Sequence, residues 1–179
     1  TAGSNTVSLS GATLAASSNC VFSVDVSGIA AGVKDNTTDP VAWGVGGTGA
    51  PSNTATLTVI PTLDIDGSLT DTRYDALTDG LLIIRYLFGL TGAPLTNNAV
   101  GGTAARNTPA EIEAYLGDIR TALDIDGNGV ADALTDGLMV LRYMFTLRGN
   151  PLIANAYDPA GSRNTAPAIE AYILSLMPQ

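Results

Sequence analysis

Hydrophobic and polar positions change their period once along this chain, near Pro61. Before it, apolar residues alternate with Ser, Thr, Gly and Asn, as in Val7-Ser-Leu9, Phe22-Ser-Val24-Asp-Val26 and Thr54-Ala-Thr56-Leu-Thr58-Val-Ile60. A period of two sends successive side chains to opposite faces of a strand, so these stretches predict short β-strands joined by polar turns such as Gly44 to Asn53. After Pro61 the apolar spacing becomes three and four. Leu81, Ile84, Leu87 and Phe88, and again Leu138, Leu141, Met144 and Phe145, each make a helical stripe.

The helical half is written twice. Leu77-Thr-Asp-Gly80 matches Leu134-Thr-Asp-Gly137, Arg85-Tyr86 matches Arg142-Tyr143, Arg106-Asn-Thr108 matches Arg163-Asn-Thr165, and Glu113-Ala-Tyr115 matches Glu170-Ala-Tyr172, all 57 positions apart. Asp64 and Asp124 differ by 60, so the first copy carries three extra residues upstream of its helix. Each unit predicts a loop, a helix, a short connection and a second helix. Thr78-Asp79 and Thr135-Asp136 suit the positive end of the first helix, and Gly92-Ala-Pro94 and Gly149-Asn-Pro151 end it. Thr108-Pro-Ala-Glu111 has the spacing of a capping box for the second helix. Thr165 keeps the cap, but no glutamate completes the box there, so that helix should start less firmly.

The chemistry sits in the loops. Asp124, Asp126 and Asn128 place hard oxygen ligands at every second residue, Gly129 permits a sharp turn, and Asp132 and Asp136 follow before the helix. This is the spacing of an EF-hand-type calcium loop, with the Val130 carbonyl at the seventh place. One departure stands out: the twelfth residue is Thr135, and Asp136 is the thirteenth. In the first loop Asp64 and Asp66 are retained, Ser68 replaces Asn128, Arg73 falls opposite Val130, and Asp75 and Asp79 match Asp132 and Asp136, with Asp71 as a spare acid. About two calcium ions are expected, the first held less tightly because its insertion must be ordered on binding.

Charge and composition narrow the choices. Seventeen acids against eight bases give a formal net charge of −9, which argues against nucleic-acid binding. Nine of those acids lie in the two loops, and two calcium ions would bring the net charge to −5. The chain has no histidine, which removes imidazole bases, Ser–His and Cys–His nucleophile pairs and the usual zinc ligands. Cys20 is alone, so it forms no intrachain disulfide. The apolar run Leu81 to Leu90 is broken by Arg85 and too short for a membrane span, and no signal peptide is read at Thr1, as expected of a mature chain or an excised fragment. Leu-Thr-Asp-Gly resembles the aspartic-protease triplet only superficially, since the order there is Asp-Thr-Gly; no catalytic residues are expected.

Two resemblances add to this. Asn5-Thr-Val-Ser-Leu-Ser-Gly-Ala-Thr-Leu14, Asn19 to Val26 and Asn53 to Val59 resemble β-sandwich repeats of secreted and surface bacterial proteins. The loop together with Leu141-Arg-Tyr-Met-Phe145 resembles the F-hand of dockerins, the calcium modules that plug bacterial enzymes into cohesin domains. Aligned on Asp136, Arg142-Tyr143 and Arg85-Tyr86 fall on the dockerin Lys/Arg-Arg-Tyr helix motif. The resemblance then implies either one enlarged dockerin whose two F-hands are pulled apart or, as the repetition of whole units favours, a double dockerin in which the second loops, around Val100 to Asn107 and Tyr157 to Asn164, have lost their acids. The expected fold class is α+β in several parts: an N-terminal all-β, sandwich-like segment at 1–61, a whole or partial domain, then an all-α dockerin-like tandem repeat at 62–120 and 121–179. The resemblance implies a non-catalytic, extracellular calcium module docking on a cohesin-like partner through Arg85, Tyr86, Arg142 and Tyr143. The alternative is a calcium-stiffened stalk or self-associating module, and in either case the chain is expected to be part of a larger secreted protein.

Overall fold

The structure, a computed structural model, describes residues 10–15, 17–21, 23–26, 31–44, 46–68 and 74–178. Among these residues four strands and six helices follow in order: β1 (Gly32–Asn36), β2 (Ala42–Trp43), β3 (Gly47–Thr48), β4 (Ala55–Val59), α1 (Leu81–Leu87), α2 (Ala93–Thr96), α3 (Pro109–Asp118), α4 (Leu138–Met144), α5 (Asn150–Ile153) and α6 (Ala166–Ser175). π-helical turns at Ala76–Gly80 and Ala133–Gly137 lead into α1 and α4, and a 3-10 turn at Arg120–Leu123 joins the two halves.

The expected fold class is not what forms. The architecture is mixed, and there is no all-β sandwich among the described residues: β1 pairs only with β4, antiparallel with Lys34 opposite Leu57, and β2 only with β3. A sandwich needs two sheets that bury their inner faces against each other. Here Val33, Val41, Trp43 and Leu57 remain exposed, so alternation has made strands without a second layer to cover them. Of the expected strands, Thr54 to Ile60 contains β4, residues 23–26 are not a strand, and Val7 to Leu9 and Phe22 lie outside the described residues. Nor are the helices a clear all-α tandem repeat. They span four to ten residues and are broken by π-helical and 3-10 turns, because glycines and prolines interrupt the apolar pattern before long helices can propagate.

The helical part is organised around one core cluster. Leu63, Ile65, Leu82, Ile83, Ile112 and Leu116 from the first copy pack in the same cluster as Leu123, Ile125, Met139, Val140, Ile169 and Ile173 from the second. The main chain closes it, the Leu63 N–H donating to the Leu176 carbonyl at 2.8 Å. α1 and α4 cross at two glycines. A Cβ on Gly80 would lie 2.9 Å from Leu141 Cδ1 and 3.1 Å from Met144 Sδ, and one on Gly137 would lie 3.2 Å from Leu87 Cδ1 and 3.4 Å from Ile84 Cα. The start of each helix therefore lies beside the later part of the other, and the pair runs antiparallel. No helix among the described residues is long and apolar enough to cross a membrane.

Candidate metal centres

Each loop folds back so that three aspartates converge. Carboxylate oxygens of Asp64, Asp66 and Asp79 lie within 4.8 Å of one another, and so do those of Asp124, Asp126 and Asp136. These two clusters could hold metal ions. Asp66, Asp79, Asp126 and Asp136 are fully buried, while Asp64 and Asp124 are half-buried.

Backbone amides aim the carboxylates. Asp136 Oδ1 accepts from the N–H of Ile125 (2.6 Å) and Asp126 (3.2 Å), and its Oδ2 from the N–H of Asp132 (2.9 Å) and the Thr135 hydroxyl (3.1 Å). Asp79 repeats the pattern with Ile65, Asp66, Asp75 and Thr78. Asp124 Oδ1 gathers the amides of Gly127 and Asn128, and its Oδ2 that of Gly129. A carboxylate has about four acceptor positions: Asp79 and Asp136 fill theirs within the chain, so their oxygens are held in place, while Asp124, with three of these bonds, keeps a position for a cation. Each cluster supplies oxygen alone, the donor chemistry that fits a hard cation.

Gathering acids in a dry cup makes their charge costly. Burial, the largest effect, pushes the Asp79 carboxyl up to about 7 against the pull of the Asp75 amide, with Asp66 pushing the same way. Asp136 and Asp64 are also raised, in each case chiefly by burial; for Asp64 the Arg106 guanidinium is the main opposing influence.

The thirteenth-residue acid is explained by the turn that carries it. The Gly137 N–H donates to the Asp132 carbonyl and the Gly80 N–H to the Asp75 carbonyl, both at 3.0 Å and five residues back, so each turn is one residue wider than an α-helical one. That widening lets Asp136 and Asp79 face the loop acids. Asp132 is drawn elsewhere: its carboxylate accepts from the amides of Leu134 and Thr135 as the cap of the turn, as Asp75 does from Leu77. Asn128 Oδ1 accepts from the N–H of Val130, itself exposed, and Ser68 lies buried with its N–H on Asp64 and Asp66. Arg73 and Asp71 lie outside the described residues.

The four residues expected to meet a partner are engaged within the chain. Arg85 Nη1 donates to the carbonyls of Leu95 and Asn97, and Arg142 Nη1 to those of Leu152 and Ala154, closing the ends of α2 and α5. Tyr143 is buried, with the Arg148 guanidinium 3.4 Å from its ring centre, and Tyr86 is half-buried against the core.

Sequence reasoning missed what holds the loops in place. Arg106 Nε donates to the Ile65 carbonyl at 2.6 Å and its Nη2 to the Asp64 carbonyl; Arg163 does the same to Ile125 and Asp124. Both guanidinium groups lie over tyrosine rings, 3.9 Å from the centres of Tyr115 and Tyr172. The segments 100–107 and 157–164, expected as second loops, brace the acidic ones. The Gly101 N–H donates to Asp66 Oδ2 and the Asp158 N–H to Asp126 Oδ2, both at 2.7 Å, while the Arg106 and Arg163 amides donate to the Asp66 and Asp126 carbonyls. Glu113 and Glu170 accept from the amides of Gly92 and Gly149. The repetition of Arg-Asn-Thr and Glu-x-Tyr was visible in the sequence, but not what these side chains would reach across about 40 residues. No family model matches the chain, and neither a curated protein nor a solved structure matches it.

Proposed function

We propose that this chain is a calcium-binding, non-catalytic protein-interaction module that anchors a larger secreted protein to a cohesin-like partner. The observation that carries the reading is the pair of buried three-aspartate clusters, built alike at the starts of α1 and α4. Calcium suits them better than magnesium: flexible loops can offer it six to eight oxygens, whereas magnesium demands a near-ideal octahedron and keeps most of its water.

Docking draws support from an apolar face that the duplication also repeats. Leu77 and Phe88 are exposed on the first copy with Leu81 and Ile84 half-buried between them; Leu134, Leu138, Leu141 and Phe145 repeat this on the second. The spacing of four, three and four sets each group on one helical face, and the α1–α4 crossing brings the two faces side by side. Cations that fix both helix starts would fix this face.

Calorimetric titration of calcium into chelator-treated protein tests the first half of the reading. About two ions are expected to bind, fewer in Asp124→Ala and Asp64→Ala, and calcium at a hundredfold above Kd should add about 2.7 kcal/mol of stability. No heat and an unchanged melt would refute it. For docking, immobilised cohesin domains should retain the protein in calcium, release it in chelator, and fail to retain Leu77→Asp/Leu134→Asp. The alternative, a calcium-stiffened stalk or self-associating module, draws on the exposed two-stranded β1–β4 sheet with its open edges. Light scattering with and without chelator separates the two, since self-association predicts a mass that depends on calcium.

A further inference from the structure

An acid or amide side chain precedes glycine at Asp66-Gly67, Asp79-Gly80, Asp126-Gly127, Asn128-Gly129 and Asp136-Gly137. Such pairs are open to one intrinsic reaction, because glycine has no Cβ to shield its amide nitrogen from the side-chain carbonyl before it. The fold closes all but one of them. Asp66, Asp79, Asp126 and Asp136 are fully buried, Gly67 and Gly127 pack against the Arg106 and Arg163 guanidinium groups, and the Gly80 and Gly137 amides donate to the Asp75 and Asp132 carbonyls. Asn128 is left. It is half-buried, Gly129 is exposed, and a Cβ on Gly129 would meet nothing within 4 Å. Asn128 Oδ1 accepts from the Val130 N–H at 2.8 Å, which folds the side-chain carbonyl back towards the chain ahead of it and polarises it. The Gly129 N–H donates to Asp124 Oδ2 at 2.9 Å on the exposed rim of the loop, held but not sealed from water.

We propose that Asn128 is a self-modification site, at which the chain converts its own asparagine to aspartate and isoaspartate. The Gly129 nitrogen attacks Asn128 Cγ, and its amide proton passes through water to Nδ2, which leaves as ammonia when the Cγ–Nδ2 bond breaks. The cyclic imide that results takes up one water at either carbonyl. Opening at one carbonyl gives aspartate at 128; opening at the other carries the main chain through Cγ, as isoaspartate. No oxidant or cofactor is consumed. Either product puts a further negative charge into the loop, and isoaspartate also lengthens the main chain between Asn128 and Gly129, drawing Gly129 away from Asp124. The second loop therefore has a chemical lifetime that the first, with Ser68 at the corresponding place, lacks.

The test is peptide mapping by mass spectrometry of the full chain held in chelator at mildly alkaline pH, folded and in urea, with isoaspartate marked by an isoaspartyl methyltransferase. Folded protein is expected to gain acid and isoaspartate at residue 128 ahead of every other asparagine and of the buried Asp-Gly pairs, with matching release of ammonia. Denatured protein should gain isoaspartate at those pairs too. Gly129→Ala, which the space around it admits, should slow the reaction at 128 about tenfold, the rate equivalent of about 1.4 kcal/mol in the barrier. Asn128 intact in the folded chain, or isoaspartate formed at the buried pairs as fast as at 128, overturns the proposal. Neither result touches the cation reading, which calorimetry tests separately.

Discussion

Arg163 donates through Nε to the carbonyl of Ile125 at 2.6 Å, fastening the start of α6 to a loop 38 residues earlier. The guanidinium also holds the Asp124 carbonyl, and Tyr172 backs its face. Two carbonyls of the acidic loop are thus fixed by one planar fork, while the carboxylates beside them stay directed inward. Lysine cannot reproduce that geometry. Arg163→Lys should therefore lower stability by about 1–3 kcal/mol, the usual cost of leaving partly buried acceptors unpaired. Chemical denaturation measures this, and calcium binding at the second cluster should weaken in the same variant.

Gly127 and Gly129 separate crowding from backbone strain within one loop. Both have positive φ, +74° and +94°. A Cβ on Gly129 meets nothing within 4 Å, so Gly129→Ala should cost only the left-handed penalty of about 1 kcal/mol. A Cβ on Gly127 would overlap Ser162 Oγ and press on the Arg163 guanidinium. Gly127→Ala should cost at least about twice as much, by thermal or chemical denaturation. Equal losses would show that the 158–163 brace yields freely.

Burial of the acids gives the metal-free protein an unusual pH dependence. The Asp79 carboxyl, at about 7 in the folded state, lies above the ordinary value near 4 that it takes when unfolded. Between those values the folded chain keeps a proton that the unfolded chain has lost. Its contribution to stability is full below about pH 4 and is lost as pH rises through about 7. Asp136 and Asp64 are raised in the same direction. In chelator, the melting temperature should fall from pH 5 to pH 8. Saturating calcium should abolish or reverse that fall, because the cation takes the place of the protons. A melt in chelator that climbs steadily over this range would contradict the buried-carboxylate geometry.

The two second helices differ at their caps. Thr108 Oγ1 accepts from the Glu111 amide while the Glu111 carboxylate accepts from the Thr108 amide and hydroxyl, a complete capping box on α3. On α6, Thr165 accepts from the Ala168 amide and no carboxylate answers. Thr108→Ala should cost about 1 kcal/mol and Thr165→Ala less, since only the first change breaks a reciprocal pair. Differential scanning calorimetry of the two variants checks the order.

Tyr115 ties the strand-to-helix connection to α3. Its hydroxyl donates to the Thr62 carbonyl at 2.9 Å and accepts from the Thr62 amide at 3.1 Å. Tyr115→Phe keeps the ring beneath Arg106 but removes both bonds. A loss of about 1 kcal/mol by denaturation is expected.

Sequence alone determined the features that depend on spacing along the chain. The period change at Pro61, the 57-residue repetition, the acid-rich loops that begin at Asp64 and Asp124, and the capping box at Thr108 all follow from local geometry or from counting. Tertiary structure decided what those residues do. It turned Asp75 and Asp132 into caps, because a π-helical turn brought Asp79 and Asp136 to the loop acids, and a one-residue widening has no distinct hydrophobic period. It set Arg85 and Arg142 on carbonyls at the ends of α2 and α5, and Arg106 and Arg163 on the acidic loops, because long side chains reach partners that sequence distance hides. Among the described residues it also left β1 to β4 without a second layer. Alternation specifies a strand and which of its faces is apolar, but a sandwich exists only where another sheet is present to cover that face.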